Sequence, residues 1–189
     1  LASGHGSDFQ AICDAVAIGT CPVELVRLIT DNPSAPAIER AARAGVPVAV
    51  VDRAAYPDRE TYEAALRAAM AESGAELFVL AGYMRLLSSQ TVRAFPGRMI
   101  NIHPALIPRY CGKGFYGKRV HQAVLEGGET ESGATVHFVD EGVDTGKIIL
   151  QEKVPVEPGD TADTLAARVL AVEHRILPRA IKLFCDGKL

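Results

Sequence analysis

The chain has 189 residues, of which 48% are hydrophobic and 23% charged, and its formal net charge is −3. This balance is typical of a globular protein and excludes a disordered one, and the absence of a basic stripe argues against a nucleic-acid partner. With no apolar stretch of the roughly 20 residues that a membrane span needs and no signal-like opening, we expect a cytoplasmic protein, a monomer or homodimer, without membrane contact.

The first half of the chain alternates apolar runs with helical patterns. Continuous apolar runs predict buried parallel strands at Val23–Thr30, Pro47–Val51, Glu76–Ala81 and Met99–His103. Apolar residues at three- and four-residue spacing predict helices over 36–44 and 59–73, the second beginning after an N-cap at Asp58. This alternation is typical of a doubly wound α/β sheet.

The second half of the chain has a different pattern. A helix is predicted over Gly117–Glu126, followed by two strands, Gly133–Val139 and Lys147–Val156, joined by the loop Asp140–Gly146. Because the link is short, we expect these strands to be antiparallel and the sheet to be mixed. A final helix, capped by Asp160, is predicted to run to about residue 184, with Pro178 as a point where it could kink.

A glycine loop opens the chain, with the sequence Ser3-Gly4-His5-Gly6-Ser7-Asp8-Phe9-Gln10. Ser7 and Gln10 predict a capping box at a helix start, where backbone N–H groups and the positive helix end suit a phosphate. The loop has neither the third glycine of a dinucleotide fingerprint nor a Gly-Lys-Ser/Thr sequence. A tight turn without a ligand therefore explains it equally well, and His5 is expected to be a solvated loop residue.

Asn101 and His103 end a predicted buried strand and are two residues apart, so their side chains share one face. The carboxyl end of such a strand is where open α/β sheets place their ligands, and an amide beside an imidazole can stabilise an oxyanion. Asp144, in the predicted loop, supplies a carboxylate that favours a charged histidine. Considered separately, His103 could be structural and Asp144 a turn former.

Other residues that could carry chemistry fit less well. His137 lies in an apolar strand and His121 and His174 on helices, so we interpret them as structural or surface groups. No serine lies in a G-x-S-x-G sequence. The cysteines are Cys13, Cys21, Cys111 and Cys185, and their spacing matches no zinc template, so we expect reduced cysteines and no metal.

Five blocks of sequence, taken in order, resemble phosphoribosylglycinamide formyltransferases over the whole chain. They are Ser3-Gly4-x-Gly6-Ser7, Leu80-Ala81-Gly82-Tyr83-Met84-Arg85-Leu86-Leu87, Asn101-Ile102-His103-Pro104-Ala105-Leu106-Ile107-Pro108, Gly133-Ala134-Thr135-Val136-His137-Phe138-Val139, and Asp144-x-Gly146 with Ile149-Leu150-Gln151. The resemblance implies a single Rossmann-like, three-layer α/β domain over residues 1–189, with a mostly parallel, mixed central sheet.

The same resemblance implies a reaction and its catalytic residues. The formyl group of the co-substrate 10-formyltetrahydrofolate would pass directly to the amine of 5'-phosphoribosylglycinamide, in purine biosynthesis. Asn101 and a protonated His103 would stabilise the tetrahedral oxyanion. Asp144 would keep His103 charged and help to move the proton from the amine to N10 of the folate.

Binding residues are also implied by the resemblance. The substrate would contact Gly6, Ser7 and Asp8 through its phosphate, and Glu173 through its ribose or glycinamide part. The folate would contact Arg59, Met84, Arg85, Leu86, Leu87, Asn101, Asp140, Glu141, Gly142, Val143 and Asp144. Asp8 stands where relatives usually have asparagine, so a side-chain contact with phosphate would be repelled there whereas a backbone contact would survive.

Four other functions remain as alternatives. A formyltetrahydrofolate hydrolase usually has an additional N-terminal domain, and a formyltransferase acting on methionyl-tRNA an additional C-terminal one, neither of which we expect here; an amino sugar is a further possible acceptor. A binding module without catalysis would have no need for Asn101, His103 and Asp144 together.

Overall fold

The computed structural model describes all 189 residues, which form two compact units, Leu1–Ile100 and Asn101–Leu189. The single domain over residues 1–189 stays a prediction. None of the helices combines the length and the apolar character that crossing a membrane requires.

The first unit contains short strands and four helices. Its elements are α1 (Ser7–Ala17), β1 (Leu28–Thr30), α2 (Ala37–Arg43), β2 (Val48–Val50), α3 (Arg59–Glu72), β3 (Phe78–Leu80) and α4 (Ser89–Ala94). Strands β1 and β2 are parallel, with Leu28 opposite Val48 and Thr30 opposite Val50. Both are continuous with loops that contain charged residues, as expected at the carboxyl ends of parallel strands.

The first residues of the chain lie between β1 and β3. The Leu1 amino group donates to the Val79 carbonyl at 2.7 Å, and Ala81 N–H donates to the Leu1 carbonyl at 2.9 Å. On the other side Ala2 N–H donates to the Ile29 carbonyl at 3.1 Å. These backbone bonds place the glycine loop, which follows directly, at the carboxyl ends of β1 and β3.

The core of the first unit lies under α1 and α2. Phe9 and Cys13 of α1 pack with Leu28, Val46 and a group of buried alanines. Small residues on α2 allow the two helices to approach closely, because an alanine adds no volume beyond its methyl group. This packing fixes the start of α1, where the glycine loop ends.

The second unit contains β4 (Met99–His103, which begins in the first unit), α5 (Lys118–Glu126), β5 (Glu131–Phe138), β6 (Ile148–Pro155) and α6 (Ala162–Cys185). Strand β5 lies between β4 and β6, and β5 and β6 are antiparallel with an irregularity between Val136 and His137. Helix α6 packs on α5, β5 and β6 through an apolar stripe that includes Leu165, Val169 and Ile176.

The predicted α/β fold with a mixed sheet is confirmed. Strand β1 is shorter than predicted, because only Leu28–Thr30 has a partner in β2. The capping box predicted at Ser7 and Gln10 is wrong, since Gly6 is the N-cap of α1 and no side chain caps that helix.

The predicted cap of the last helix is also wrong by one residue. Thr161, with Thr164, forms a capping box, whereas Asp160 accepts hydrogen bonds from Arg168 Nη1 at 2.6 Å and Nη2 at 3.0 Å. A charged partner thus holds the aspartate beside the helix, and the neighbouring hydroxyl makes the cap. Pro178 lies inside a helix that runs unbroken to Cys185.

Candidate active site

Asn101 and His103 lie at the end of β4 on the face opposite to Ile100 and Ile102. The two isoleucines are 0% and 6% exposed, so the face of the strand that carries them packs in the core. His103 is itself 4% exposed, and a buried imidazole needs hydrogen-bond partners. The strand alternation predicted from the sequence therefore brings an amide and a buried histidine together at the strand end.

The Asp144 carboxylate lies between two histidine rings. Its Oδ2 is 3.7 Å from His103 Nδ1, and its Oδ1 is 3.5 Å from His137 Nε2. Oδ2 also accepts a hydrogen bond from Gly112 N–H at 2.9 Å. The carboxylate is thus fixed by a backbone donor and faces both imidazoles.

The proton on His103 is located by its other nitrogen. His103 Nε2 is 2.8 Å from the Tyr110 carbonyl oxygen, which can only accept, so Nε2 carries a proton. In the neutral ring Nδ1 is then an acceptor that faces the Asp144 carboxylate. Protonation of Nδ1 replaces this repulsive contact by a favourable one, so the geometry is suited to an imidazolium.

Asn101 is oriented by His137. His137 Nδ1 donates to the Phe138 carbonyl at 2.8 Å, which leaves Nε2 of the neutral ring as an acceptor for Asn101 Nδ2–H at 3.2 Å. An amide nitrogen has two hydrogens, so the second N–H of Asn101 stays available to a ligand. His137 is 2% exposed, and its buried ring fixes which end of the asparagine amide faces the site.

Burial and the neighbouring polar groups shift the pKa values of His103 and Asp144 in opposite directions. Burial lowers the pKa of His103 below its ordinary value, although the Tyr110 carbonyl and the Asp144 carboxylate both raise it. For Asp144, burial raises the pKa, but the adjacent His137 imidazole, the hydrogen bond from Gly112 N–H and the His103 imidazole outweigh burial and lower it. The carboxylate predicted beside His103 is present, but burial outweighs its effect on the pKa of His103.

The loop that carries Asp144 has a backbone that few residues tolerate. Asp144 has a φ of 58°, in the left-handed region. At Gly146 a Cβ atom would lie 1.8 Å from the Phe138 carbonyl oxygen, so only glycine fits. Asp140 Oδ1 closes the loop from the other end by accepting from Gly142 N–H at 3.0 Å and Thr145 Oγ1 at 2.6 Å. Glu141 and Val143 lie between these anchors.

The loop after Asn101 and His103 is fixed as well. The Ile107–Pro108 peptide bond is cis, and Tyr110 has a φ of 53°. Tyr110 OH donates to Glu129 Oε1 at 2.8 Å, which holds the residue whose carbonyl faces His103.

The glycine loop of the first unit has a strict requirement at Gly6. Gly6 has a φ of 67°, and a Cβ atom there would lie 2.6 Å from Cβ of Ala37. Ala37 N–H also donates to the Gly4 carbonyl at 3.1 Å, so α2 fixes the loop. The loop therefore presents the N-terminal backbone of α1, beginning at Ser7, in one arrangement.

Asp8, in the first turn of α1, is 8% exposed. Burial raises its pKa to about 6. A negative side chain near the positive end of a helix is favourable, and at neutral pH most of the population is still charged.

The segment Met84–Leu87 presents apolar side chains to solvent. Met84 and Leu86 are 53% and 54% exposed. Arg59 Nη2 donates to the Leu86 carbonyl at 2.9 Å, which brings two of the predicted folate contacts together. Arg85 pairs with Asp31 at the edge of a polar pocket of about 490 Å³.

The structure thus groups the predicted residues within each unit. In the second unit it brings Asn101, His103 and Asp144 together, and it places Glu173 on α6, 7% exposed. In the first unit it joins Arg59 to Met84–Leu87 and places Gly6, Ser7 and Asp8 at one helix start.

Comparison with known proteins identifies the family. Residues 1–181 match the formyl transferase family. The chain belongs to that family. It is 39% identical to phosphoribosylglycinamide formyltransferase of Escherichia coli (strain K12), over 100% of this chain and 87% of that protein.

Two further relatives of this formyl transferase extend the comparison. The crystal structure of glycinamide ribonucleotide transformylase 1 from Symbiobacterium toebii superposes with a TM-score of 0.93 at 46% identity, covering 99% of this chain and 86% of that one. The trifunctional purine biosynthetic protein adenosine-3 of Drosophila pseudoobscura pseudoobscura is 45% identical over 100% of this chain. The chain spans only 14% of that protein's length. The solved structure confirms the predicted fold class.

Sequence reasoning missed three contributors to the site of this formyl transferase. His137 was interpreted as structural or surface, although it contacts both Asn101 and Asp144. Tyr110 and Gly112 act through backbone atoms, so their residue types carry no signal. One signal was available for His137. It lies two residues after Thr135 on β5, so the two polar side chains share one face of the strand.

Proposed function

We propose that the chain transfers the formyl group of 10-formyltetrahydrofolate to the amine of 5'-phosphoribosylglycinamide. The products are formylglycinamide ribonucleotide and tetrahydrofolate, in purine biosynthesis. Membership of the formyl transferase family supports a formyltetrahydrofolate co-substrate, and the E. coli relative, matched over 87% of its length, supports the acceptor.

The observation that carries the chemistry is the cluster of Asn101, His103 and Asp144 around one strand end. A spare amide N–H and an imidazole that can become charged are the two donors that a tetrahedral oxyanion requires. Asp144, fixed by Gly112 N–H, lies 3.7 Å from His103 Nδ1 and carries the negative charge that supports the imidazolium.

The reaction needs no covalent enzyme intermediate. The neutral amine of the acceptor attacks the formyl carbon, and the carbonyl electron pair moves to oxygen, where Asn101 and protonated His103 stabilise it. The bond from carbon to N10 of the folate then breaks as the carbonyl re-forms. The proton lost by the amine reaches N10, with Asp144 handling it through water.

The arrival of negative charge on the oxygen compensates for burial of His103. In the free protein burial keeps the His103 pKa low, but an anion beside the ring favours the charged form. We therefore propose that His103 takes up its proton when the ligands bind, and that its 3.7 Å distance from Asp144 shortens then.

Binding roles are proposed for further residues. Gly6, Ser7 and Asp8 would contact the phosphate through the backbone of α1, and Glu173 the ribose or glycinamide part. The exposed apolar side chains of Met84 and Leu86, with Arg59, Arg85 and Leu87, would contact the folate. Asn101 and the loop residues Asp140, Glu141, Gly142, Val143 and Asp144 would contact it as well. Such a protein would act on small molecules, in the cytoplasm, with no metal.

An absorbance assay of folate product formation tests this function. Wild type, His103→Ala and Asp144→Asn are compared with glycinamide ribonucleotide or water as the acceptor. We expect turnover that requires the ribonucleotide. It should fall about 10²–10³-fold in His103→Ala, which loses an oxyanion donor, and by a similar factor in Asp144→Asn, which loses the charge that supports the imidazolium and the group that handles the proton. Thermal unfolding shows whether each variant is folded.

Asp160→Asn is a matched control for Asp144→Asn. Asp160 is also a buried loop aspartate of the second unit, with a side chain 5% exposed and paired to Arg168. Its variant should lose stability but keep kcat. Turnover with water alone would instead indicate a hydrolase, and folate binding without turnover a binding module. Near-full activity of folded His103→Ala would contradict the proposed mechanism.

A further inference from the structure

The segment 84–88 carries exposed apolar side chains on a fixed backbone. Met84 and Leu86 are each more than half exposed. Met84 N–H donates to Ser3 Oγ at 2.9 Å, and the Leu86 carbonyl accepts from Arg59 Nη2 at 2.9 Å. An apolar surface that is held in place yet left open to solvent is typical of a ligand contact rather than of core packing.

Glu63, on α3, connects Arg59 with the far end of this segment. Its side chain is 4% exposed, and Oε1 accepts from Arg59 Nε at 2.9 Å. Oε2 accepts from Ser88 N–H at 2.9 Å, from the Ser88 hydroxyl, and from Thr91 Oγ1 at 2.6 Å. One buried carboxylate therefore holds the guanidinium with one oxygen and the end of the segment with the other.

The charge of Glu63 is maintained by these donors. Burial alone raises the pKa of Glu63, but the hydrogen bonds from Ser88, Thr91 and Arg59 outweigh burial and lower it. The carboxylate is thus ionised at neutral pH and acts as an acceptor on both oxygens. Ser88 is also the N-cap of α4, so the same carboxylate fixes the start of that helix.

Arg59 needs such a partner because its side chain is 62% exposed. A long exposed arginine normally samples many rotamers, and binding a ligand through it then requires ordering the side chain first. Contact with Glu63 on one edge and the Leu86 carbonyl on another favours one arrangement of the Arg59 side chain.

We infer that Glu63 is a positioning residue for the folate, holding Arg59 and the segment 84–88 in the arrangement that the co-substrate meets. Glu63 does not itself touch the ligand. The inference rests on the proposed function, and it assigns a ligand-binding task to a buried carboxylate remote in sequence from Asn101, His103 and Asp144.

Glu63→Gln tests this role with little change of shape. Glutamine has one oxygen and one NH₂, so it can accept from Arg59 or from Ser88 but not from both. We expect the KM for 10-formyltetrahydrofolate to rise roughly tenfold, as for the loss of a hydrogen bond to a charged group. We expect kcat and the KM for glycinamide ribonucleotide to change less than about twofold.

Two comparisons separate positioning from general stability. Leu66→Val destabilises the same helix through a buried residue that is 1% exposed, and it should leave the KM for folate unchanged. In a double-mutant cycle, the KM increases caused by Glu63→Gln and Arg59→Ala should be less than additive, because one of the two arms of Glu63 acts through Arg59. Full additivity, or an unchanged KM in Glu63→Gln, would overturn the inference.

Failure of the inference is distinguishable from failure of the proposed function. If wild type neither turns over nor binds tetrahydrofolate in calorimetry, the proposed function fails and takes this inference with it. If wild type is active and Glu63→Gln has wild-type folate affinity, only the inference fails. Should Glu63→Gln not fold, Ser88→Ala removes one of the Oε2 donors and must still raise the KM for folate.

Discussion

Asp144 Oδ2 lies 3.7 Å from His103 Nδ1, which is beyond the reach of a hydrogen bond. The two groups nevertheless face each other, because Gly112 N–H fixes the carboxylate and the Tyr110 carbonyl fixes the ring. The pair thus lies close to contact without a hydrogen bond between the two groups. A hydrogen bond between them requires a proton on His103 Nδ1. Because an anionic group beside the ring would favour that proton, we expect the distance to depend on the charge of the ligand.

His137 is expected to support catalysis through Asn101. In His137→Gln the acceptor for Asn101 Nδ2–H is displaced, so the amide loses its orientation and kcat should fall about tenfold, less than in Asn101→Ala. Steady-state kinetics of Asn101→Ala and of the double variant check the route. The double variant should be no slower than Asn101→Ala, and a further loss would mean that His137 acts independently.

Acid should destabilise the protein through its buried histidines. Burial lowers the pKa of His121 to about 4 and also lowers that of His103. Between the lowered pKa of His121, about 4, and the ordinary pKa of about 6.5 the unfolded chain binds more protons, so stability rises with pH through this window and is lost as pH falls. The lowered pKa of His103 acts in the same direction. For His121 the full effect is about 3 kcal/mol.

Asp8 changes the pH dependence of stability in the direction opposite to that of the histidines. Its raised pKa makes the folded state bind more protons than the unfolded state between about pH 4 and 6.

Denaturant unfolding of wild type and His121→Gln across this pH range separates the contribution of His121 from that of Asp8. The slope of stability against pH should be smaller in His121→Gln. An identical slope in both proteins would contradict this account.

Asp8→Asn should strengthen phosphate binding. Removing one negative charge near a bound phosphate should lower the KM for glycinamide ribonucleotide about fivefold near pH 8, given Coulomb energies of about 1 kcal/mol at such separations in water. Below a pH of about 6 the Asp8 carboxyl becomes protonated, so the advantage of the variant should shrink. A ratio of KM values that is independent of pH would mean that Asp8 exerts no charge effect there.

Gly146→Ala should disturb the position of His137 through the backbone. The added Cβ would meet the Phe138 carbonyl oxygen, the same atom that accepts from His137 Nδ1. Backbone must therefore shift, and we expect a loss of about 2 kcal/mol or more in stability together with a large loss of kcat. Gly128, in the same unit, has open space around it and a φ of 67°, whereas Gly146 is not in the positive-φ region. Gly128→Ala should therefore lose stability through backbone strain without any clash, and it should keep kcat.

Sequence periodicity was sufficient for much of the fold and for part of the site. The two-residue period of a strand put Asn101 and His103 on one face, and two strands in succession predicted the loop that carries Asp144. Contacts that depend on how neighbouring strands align were not predictable, and His137 is the main example. Its ring reaches Asn101 only because β5 lies beside β4 in the sheet.

The errors at element ends have local causes. Asp160 and Thr161 are both good cap residues, and the choice between them depends on Arg168, which binds Asp160 from the following helix. Residues 23–27 have strand-like composition, but a strand also needs a partner, and β2 offers only three residues. Composition specifies the preference of a segment, and pairing decides its length.

The positive φ of Asp144 sets stability against activity at one residue. A left-handed backbone costs a side chain with a Cβ about 1–2 kcal/mol, which glycine does not incur. Substitution by glycine would relieve that cost and delete the carboxylate, so Asp144→Gly should be more stable than the wild type and, under the proposed mechanism, inactive. A library of variants sorted only for folding should therefore accumulate glycine at residue 144, and one sorted for turnover should retain aspartate.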